Sequence, residues 1–486
     1  MRSRKQKDLL EVCKTISEKD LCVDSRKTIA SCIFFAIPGS KVDSSQYLAQ
    51  VIQAGVKAIV VQEKAKNLPK ADVTYYLVDD VRKALALSAC EVFKNPSHQM
   101  KVFGVTGTGG KTTTTHLLEG IFICSGLKSG LIGTIETRVA TAEKFKAIDF
   151  GHKLTTPDAI TLQKTFQHFL EQGVSHVAIE VSSHAIHQHR TVGTVFDSVL
   201  FTNLSQDHLD YHSSMDDYFH TKAELFLNYQ TKNRLICIHD EWGKKLANLC
   251  KEKKLDYLTV GLKGSDFDHS QVTASFSGIS GKILGKEPIE IKSSLIGDFN
   301  IKNIALACAA AYASGLSIPE IEQGIWRAKT PAGRMEKVSD KKNRHVFIDY
   351  SHKPAALENA LSTLRTLNPK KLVCVFGCGG DRDKTKRPLM GEIAQRLSDH
   401  VFVTSDNPRT EDPNEIIKAV LRGMNSSQIN VTVESDRKLA IQRAIESLNP
   451  GDCLLIAGKG HEDYQIIGTE IIPFNDKLVA EEYLNS

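Results

Sequence analysis

No apolar run in this sequence approaches the length of a membrane span, so a chain that crosses a bilayer by helices is not expected. The start lacks a secretory n-region and h-region. Residues 1–7 are basic, but acidic residues follow, so no targeting signal is read there. Eleven cysteines, an odd count, contain no CxxC pair and are scattered through apolar stretches such as 373–376. That usage fits buried thiols in a reducing, cytoplasmic home. Charge of one sign is scarce. A net +5 gives mild attraction to an anionic substrate and no strong case for nucleic acid or a membrane surface. No basic stripe with interleaved aromatics is present, which argues against a nucleic-acid-binding ATPase.

What remains is an ordinary soluble composition, 41% hydrophobic and 24% charged, over 486 residues. That length exceeds what one hydrophobic core usually serves, so two or three domains are expected. Residues 1–97 mix short apolar runs with polar turns. Residues 54–61 read as a helix end leading into a strand, and 94–99 as a linker. Residues 98–329 carry strand-like runs at 101–105, 176–181 and 198–202, with a helix-like stretch at 159–171 between the first two. Residues 330–486 carry further runs at 345–348, 371–376, 401–403 and 453–456. Nearly all end in a polar cluster. The alternation predicts an α/β chain of three domains, with mostly parallel sheets and helices on their faces. In such sheets ligands bind beyond the carboxyl ends of the strands, where these polar clusters fall.

The sharpest of these clusters is Gly104-Val-Thr-Gly107-Thr-Gly-Gly110-Lys111-Thr112, which follows a strand and opens a helix. Its backbone N–H groups can cradle phosphate oxygens at the helix N-terminus. Lys111 adds a point charge for the terminal phosphates, and the Thr112 hydroxyl can ligate Mg²⁺. The spacing from Gly104 to Gly110 is one residue longer than in the common nucleotidase loop. Two further clusters are Glu180-Val-Ser-Ser-His184 and Thr202–His212, the latter containing His208. Mg²⁺ prefers oxygen, so Glu180 is a sensible partner for Thr112. From spacing alone, His208 is either a zinc ligand or a satisfied polar histidine. Ser214-Met-Asp-Asp217 looks like a capping box that starts a helix holding Lys222. A lysine on a helix is ordinarily a solvated surface residue.

The loop string resembles that of the Mur ligase and folylpolyglutamate synthase superfamily, usually written GTNGKT, with Gly109 where the pattern has Asn. The change removes a side chain and is expected to loosen the loop. The run DHLDYHSSMDDYFHTKAELF resembles the Mur ligase segment in which a lysine is carbamylated, with Lys222 at that position. Gly297-Asp-Phe-Asn300-Ile-Lys-Asn303, Thr330-Pro-Ala-Gly-Arg334-Met-Glu and Asp349-Tyr-Ser-His352-Lys-Pro resemble further segments of that family. Ser351, Lys353 and Ala355 depart from the third pattern. The likeness covers about 100 to 475 and is weaker before that, where Asp24-Ser25-Arg26 matches a DSR string and the usual glycine-rich follow-up appears only as 39–43.

The resemblance implies an ATP-dependent ligase of peptidoglycan precursor synthesis. Gly107, Thr108, Gly109, Gly110, Lys111, Thr112, Thr113, Asn300, Asn303, Arg334, Asp349 and His352 would bind ATP. Thr112, Glu180, His208 and carbamylated Lys222 would hold Mg²⁺, and Lys111, Lys222 and His208 would be catalytic. Ser25, Thr155, Thr156, Ser182, Gln188 and Arg190 would bind the UDP-sugar peptide. Leu154 stands where many relatives place Asn, so no contact is assigned to it.

The string Asp406-Asn407-Pro408-Arg409 is similar to that of the family members that add meso-diaminopimelate; lysine-adding members lack the arginine. A guanidinium can hold the second carboxylate of diaminopimelate with two parallel hydrogen bonds and would repel the ammonium of lysine. Arg382, Gly458 and Glu462 complete the amino-acid set, with Glu462 suited to the distal ammonium. Taken together, the expectation is a monomer acting on ATP, UDP-N-acetylmuramoyl-L-alanyl-D-glutamate and meso-diaminopimelate through an acyl phosphate. A domain closure hinged near Pro331 would protect that intermediate. The rivals are a lysine-adding ligase, a folylpolyglutamate synthase, and a nucleotide-binding homologue without activity.

Overall fold

The computed structural model describes residues 2–39, 44–65, 68–151, 154–425 and 430–485. Residues 40–43, most of the expected glycine-rich follow-up, lie outside them. Each of the three expected regions carries its own sheet.

The first sheet has five parallel strands in the order Arg2–Lys5, Thr74–Val78, Ala58–Gln62, Ile33–Phe35 and Leu21–Cys22. Val60 and Phe35 face one apolar cluster and Ile59 and Phe34 another, as the two-residue period of a strand covered on both faces requires. Residues 54–61 behave as read: helix Leu48–Gln53 ends and strand Ala58–Gln62 follows. The stretch 94–99 turns sharply. Lys94 and Asn95 take left-handed φ values of 59° and 50°, then a 3-10 turn, Pro96–Gln99, leads to strand Lys101–Thr106.

The second sheet has eleven strands. Its central strands run in the order Leu258–Gly261, Thr231–Cys237, Phe196–Phe201, Lys101–Thr106, His176–Glu180 and Ser129–Ile132, all parallel. One margin departs from that pattern, because Thr137–Ala140 and Phe145–Ala147 pair antiparallel. Helices Lys111–Cys124, Ala159–Glu171 and Met215–Leu227 connect the central strands. The helix expected at 159–171 has those bounds because Asp158 caps it, accepting hydrogen bonds from the N–H groups of Ile160 and Thr161.

The third sheet has six strands in the order Glu336–Val338, His345–Asp349, Cys453–Ala457, Leu372–Phe376, His400–Val403 and Val431–Val433, parallel except for the first. A separate hairpin pairs Tyr464–Ile467 with Glu470–Pro473. The chain divides into two compact units. One comprises Met1–Gln271, Ile283–Ile289 and Lys302–Arg327; the other comprises Val272–Lys282, Glu290–Ile301 and Ala328–Ser486. Among the described residues no cysteine is in a disulfide, and ten of the eleven are buried, as their apolar settings led one to expect. No helix among those residues is long and apolar enough to cross a membrane.

Candidate active site

Register places the carboxyl ends of three central strands side by side: Thr106 pairs with Phe201, and Val105 with Glu180. The chain leaves the middle strand through Gly107, at φ 145°, where a Cβ would collide with Thr202 Oγ1. Gly110, at φ 85°, precedes helix Lys111–Cys124, and a Cβ there would collide with Asn303 Oδ1. Both positions therefore require glycine.

Gly109 is different. A Cβ would meet nothing nearer than the Asn203 amide at 3.8 Å. Its peptide is gripped on both sides: Gly109 N–H donates to Asn203 Oδ1 (3.0 Å), and its carbonyl accepts from Asn203 Nδ2 (3.1 Å) and Thr202 Oγ1 (2.6 Å). The loosening expected from the missing side chain is thus opposed by a clamp from the neighbouring strand end. Asn203 was visible in the sequence only as part of a polar cluster.

Two ammonium groups converge on one carbonyl of this loop. Lys111 Nζ donates to Gly107 O and Thr108 O, each at 3.0 Å. Lys222 Nζ donates to the same Gly107 O at 3.0 Å and to Thr106 Oγ1 at 3.4 Å. Lys222 is 1% exposed, so the ordinary expectation of a solvated helical lysine does not hold here. The helix Met215–Leu227 begins as read, with Ser214 Oγ accepting from Asp217 N–H, and this start carries Lys222 inward. Burial pushes the Lys222 ammonium well below its ordinary pKa, and the Lys111 charge acts in the same direction.

Glu180 is buried beside the loop. Its Oε1 accepts from Thr112 Oγ1 (3.0 Å) and from Thr134 N–H (2.9 Å), and its Oε2 accepts from Thr134 Oγ1 (3.1 Å). A carboxylate ringed by hydroxyls suits a hard cation. Thr134 was missed in the sequence because no motif frames it. His208 has a left-handed φ of 55° and lies 3.5 Å from Asp207 Oδ2 and edge-on to His184. Among the described residues no three His, Cys, Asp or Glu side chains group so as to hold a metal ion.

Five of the six residues assigned to the UDP-sugar peptide form one network. Thr155 Oγ1 accepts from Thr134 Oγ1 (3.1 Å), and Thr156 Oγ1 accepts from Ser182 N–H (3.1 Å). Arg190 donates through Nη1 to Thr156 O (2.9 Å) and through Nη2 to Gln188 Oε1 (2.7 Å). Ser25 instead lines a cavity of about 400 Å³ with Phe34, Tyr47 and Gln50. Arg26 beside it is locked to Asp24 by two hydrogen bonds, which hold the Asp24 carboxyl down at about 2. Leu154 is exposed.

Asn300 and Asn303 lie on helix Asp298–Ala313. Asn300 Nδ2 donates to Ile296 O, and Thr114 Oγ1 donates to Asn303 Oδ1. In the third sheet, Asp349 Oδ2 accepts from Met335 N–H (2.8 Å), and the Arg334 guanidinium sits 5.3 Å over the Tyr350 ring. Ser351, which departs from the family pattern, donates its hydroxyl to Asp349 and so orients that carboxylate. Burial pushes Asp349 up and His352 down in pKa.

The ends of Leu372–Phe376, His400–Val403 and Cys453–Ala457 are likewise in register and gather the amino-acid set. Arg409, at a left-handed φ of 53°, is pinned to the hairpin: its N–H donates to Ile466 O, and its carbonyl accepts from Gly468 N–H. Its guanidinium donates to Gly380 O at 2.8 Å, immediately before the exposed stretch 381–385 that bears Arg382. Asn407 Nδ2 donates to Glu462 Oε2 (2.9 Å), joining the turn that contains Pro408 to the one that begins at Gly458. Lys459, fully buried and missed in the sequence, donates to Asn407 Oδ1 (3.1 Å) and Glu462 Oε2 (3.3 Å). Burial raises the Asp406 pKa, with Arg437 and Lys459 opposing.

Three family models match in succession: the Mur ligase family catalytic domain over residues 20–92, the Mur ligase middle domain over 105–311, and the Mur ligase glutamate ligase domain over 333–460. Among curated proteins, the UDP-N-acetylmuramoyl-L-alanyl-D-glutamate–2,6-diaminopimelate ligase of Aquifex aeolicus is 43% identical, covering 96% of this chain and 93% of its own. The protein of the same name from Geobacillus thermodenitrificans is 38% identical over 94% and 93%. A solved structure of a ligase with that name superposes with a TM-score of 0.72 at 28% identity, over 96% of this chain and 94% of the other. A MurF structure from Acinetobacter baumannii, at 16% identity and a TM-score of 0.62, shares the fold.

Proposed function

The chain belongs to the Mur ligase family, and from that premise we propose that it is an ATP-dependent, ADP-forming ligase. It joins meso-diaminopimelate to UDP-N-acetylmuramoyl-L-alanyl-D-glutamate. The observation that carries the reading is buried Lys222, whose ammonium rests on the Gly107 carbonyl of the phosphate loop beside Lys111. Relatives named as 2,6-diaminopimelate ligases, matched over nearly the whole chain, support the choice of amino acid. So does Arg409 in a turn shared with Glu462 through Asn407.

The chemistry follows from the residues. A carboxylate of the sugar peptide attacks the γ-phosphorus of ATP, so two anions must meet. Lys111 leaves the loop carbonyls and turns its charge to the phosphates that the backbone N–H groups cradle. Lys222, favoured as a neutral amine by burial, adds CO₂ and loses a proton, which turns a cation into a carboxylate. Mg²⁺, held by Thr112, Glu180, His208 and this carboxylate, would supply further charge for the transferring phosphoryl group. The Thr156–Gln188–Arg190 network holds the sugar peptide, and Ser25 meets its uridine diphosphate. ADP leaves and an acyl phosphate remains. Asn300, Asn303, Arg334, Asp349 and His352 hold the nucleotide. Arg409 and Arg382 take the distal carboxylate of diaminopimelate, and Glu462 its distal ammonium. The other amine attacks the acyl carbon, and inorganic phosphate departs.

The enzyme works as a cytoplasmic monomer with domain edges at 97/98 and 329/330. The test is ADP release with ATP, Mg²⁺ and UDP-N-acetylmuramoyl-L-alanyl-D-glutamate, comparing meso-diaminopimelate with L-lysine. Turnover with meso-diaminopimelate well above that with lysine is expected. Preference for lysine overturns the role of Arg409, and no ADP release with either overturns the ligase reading.

A further inference from the structure

Beneath the two turns that carry Arg409 and Glu462 lies a buried ion pair that the chemistry above does not use. Arg437 opens helix Arg437–Glu446 and Asp476 opens helix Asp476–Leu484. Neither side chain has any solvent exposure. Arg437 Nε and Nη2 donate to the two oxygens of Asp476, each at 2.7 Å. Two further N–H donors reach main-chain carbonyls: Ala457 O from Nη2 at 3.0 Å, and Ser405 O from Nη1 at 3.3 Å.

The placement of those carbonyls is informative. Ser405 immediately precedes Asp406, and Ala457 immediately precedes Gly458. Their strands, His400–Val403 and Cys453–Ala457, are not neighbours; Leu372–Phe376 runs between them. Ladder hydrogen bonds fix each outer strand to the middle one only up to the point where the chain leaves the sheet. Arg437 ties Ala457, at the last rung of one strand, to Ser405, just past the end of the other, and so joins the root of one turn to the root of the other. A planar guanidinium held bidentately by a carboxylate has a fixed orientation, so it sets a distance as well as making a contact. A buried ion pair is a poor source of stability relative to apolar side chains of similar size. Its use here is better sought in geometry.

We infer that Arg437, oriented by Asp476, is a positioning residue that sets the spacing between the Arg409 turn and the Glu462 turn, and hence the fit of the amino-acid substrate. The inference rests on the reading that these turns receive diaminopimelate. It concerns the affinity for one substrate, and neither residue touches that substrate.

The test uses full-length enzyme, with each of the three substrates varied in turn and thermal melting measured alongside. The double variant Arg437→Met/Asp476→Leu replaces the pair by apolar side chains and removes the carbonyl staple. Its KM for meso-diaminopimelate is expected to rise about tenfold or more, the scale of losing hydrogen bonds from a charged donor. Its KM values for ATP and for the sugar peptide should stay within about twofold, and its melting temperature near that of wild type. Arg437→Lys, which keeps the charge and loses the fork, should fall between the two. A folded double variant with a wild-type KM for diaminopimelate overturns the inference, as does an equal rise for all three substrates. Should the double variant fail to fold, Asp476→Asn keeps the volume and weakens the orientation of the guanidinium; an unchanged KM for diaminopimelate there overturns the inference equally. Wild-type enzyme that accepts neither amino acid overturns the functional reading and the inference with it. Wild-type turnover with diaminopimelate and unaltered variants overturns the inference alone.

Discussion

The nucleotide loop and the amino-acid turns are organised in opposite ways. At 107–112 the cations sit on the loop's own main chain: Lys111 and Lys222 share the Gly107 carbonyl, and glycines let neighbouring side chains approach. At 406–409 and 458–462 the turns are tied to each other by buried Lys459, itself part of the second, and held at their roots from outside by Arg437. On the proposed reading, the loop that takes up phosphate keeps its cations on main-chain carbonyls that phosphate oxygens can replace, and the pocket that discriminates between two similar amino acids keeps its two turns at a fixed separation. Removing a cation from the first region should therefore act on turnover, and removing one from the second on the affinity for one substrate.

The strongest trial of that contrast is Lys222→Ala. ADP release should fall about 10²–10³-fold, the loss typical when charge stabilisation of a transition state is removed. Formate or acetate should restore part of it by standing in for the carbamate. Full activity in the alanine variant, measured by coupled ADP assay, would remove Lys222 from the chemistry and with it half of the contrast.

Next in size is Arg409→Ala. The left-handed backbone strain is the same for alanine as for arginine, so the loss reports the guanidinium. We expect about 1.5–3 kcal/mol in kcat/KM for meso-diaminopimelate, roughly 10- to 150-fold, with the KM for ATP unchanged. A similar loss toward L-lysine would mean that Arg409 supports the turn and does not read the second carboxylate.

Asn203→Ala should have a smaller effect. It removes two hydrogen bonds from the Gly109 peptide, each worth about 0.5–1.5 kcal/mol net. The KM for ATP should rise several-fold. An unchanged KM would show that the loop needs no clamp from its neighbour. Smallest is Gly109→Asn, which restores the family residue at a position where a Cβ has ordinary room. The KM for ATP should stay within about twofold, the scale of a few tenths of a kcal/mol. A larger change in either direction would mean that the glycine itself matters at this site.

Much of this was legible in the chain. Strands at 101–105, 345–348 and 453–456 appear within a residue of their expected ends, because β-branched runs bounded by glycine and acidic residues are local signals. Contiguous motifs such as 107–112 and 406–409 were legible for the same reason. What was not legible acts across the chain. Asn203 clamps a residue 94 positions away, and Arg437 reaches Asp476 39 positions on. Neither carries a local pattern that distinguishes it from a turn asparagine or a surface arginine. Lys222 was read correctly as helical, yet a lysine on a helix is ordinarily solvated, and its burial depends on which face of Met215–Leu227 meets the sheet.

Local chemistry written in consecutive residues was enough to establish an α/β chain, a glycine-rich loop between a strand and a helix, and a turn presenting an arginine. Backbone conformation and hydrogen-bonding type are set over a few neighbours, so they survive in one dimension. The burial of Lys222, the clamp on Gly109 and the spacing of the two amino-acid turns came from the folded molecule. Burial and separation depend on how strand ends align across parallel sheets, and that alignment brings together residues that sequence order keeps apart.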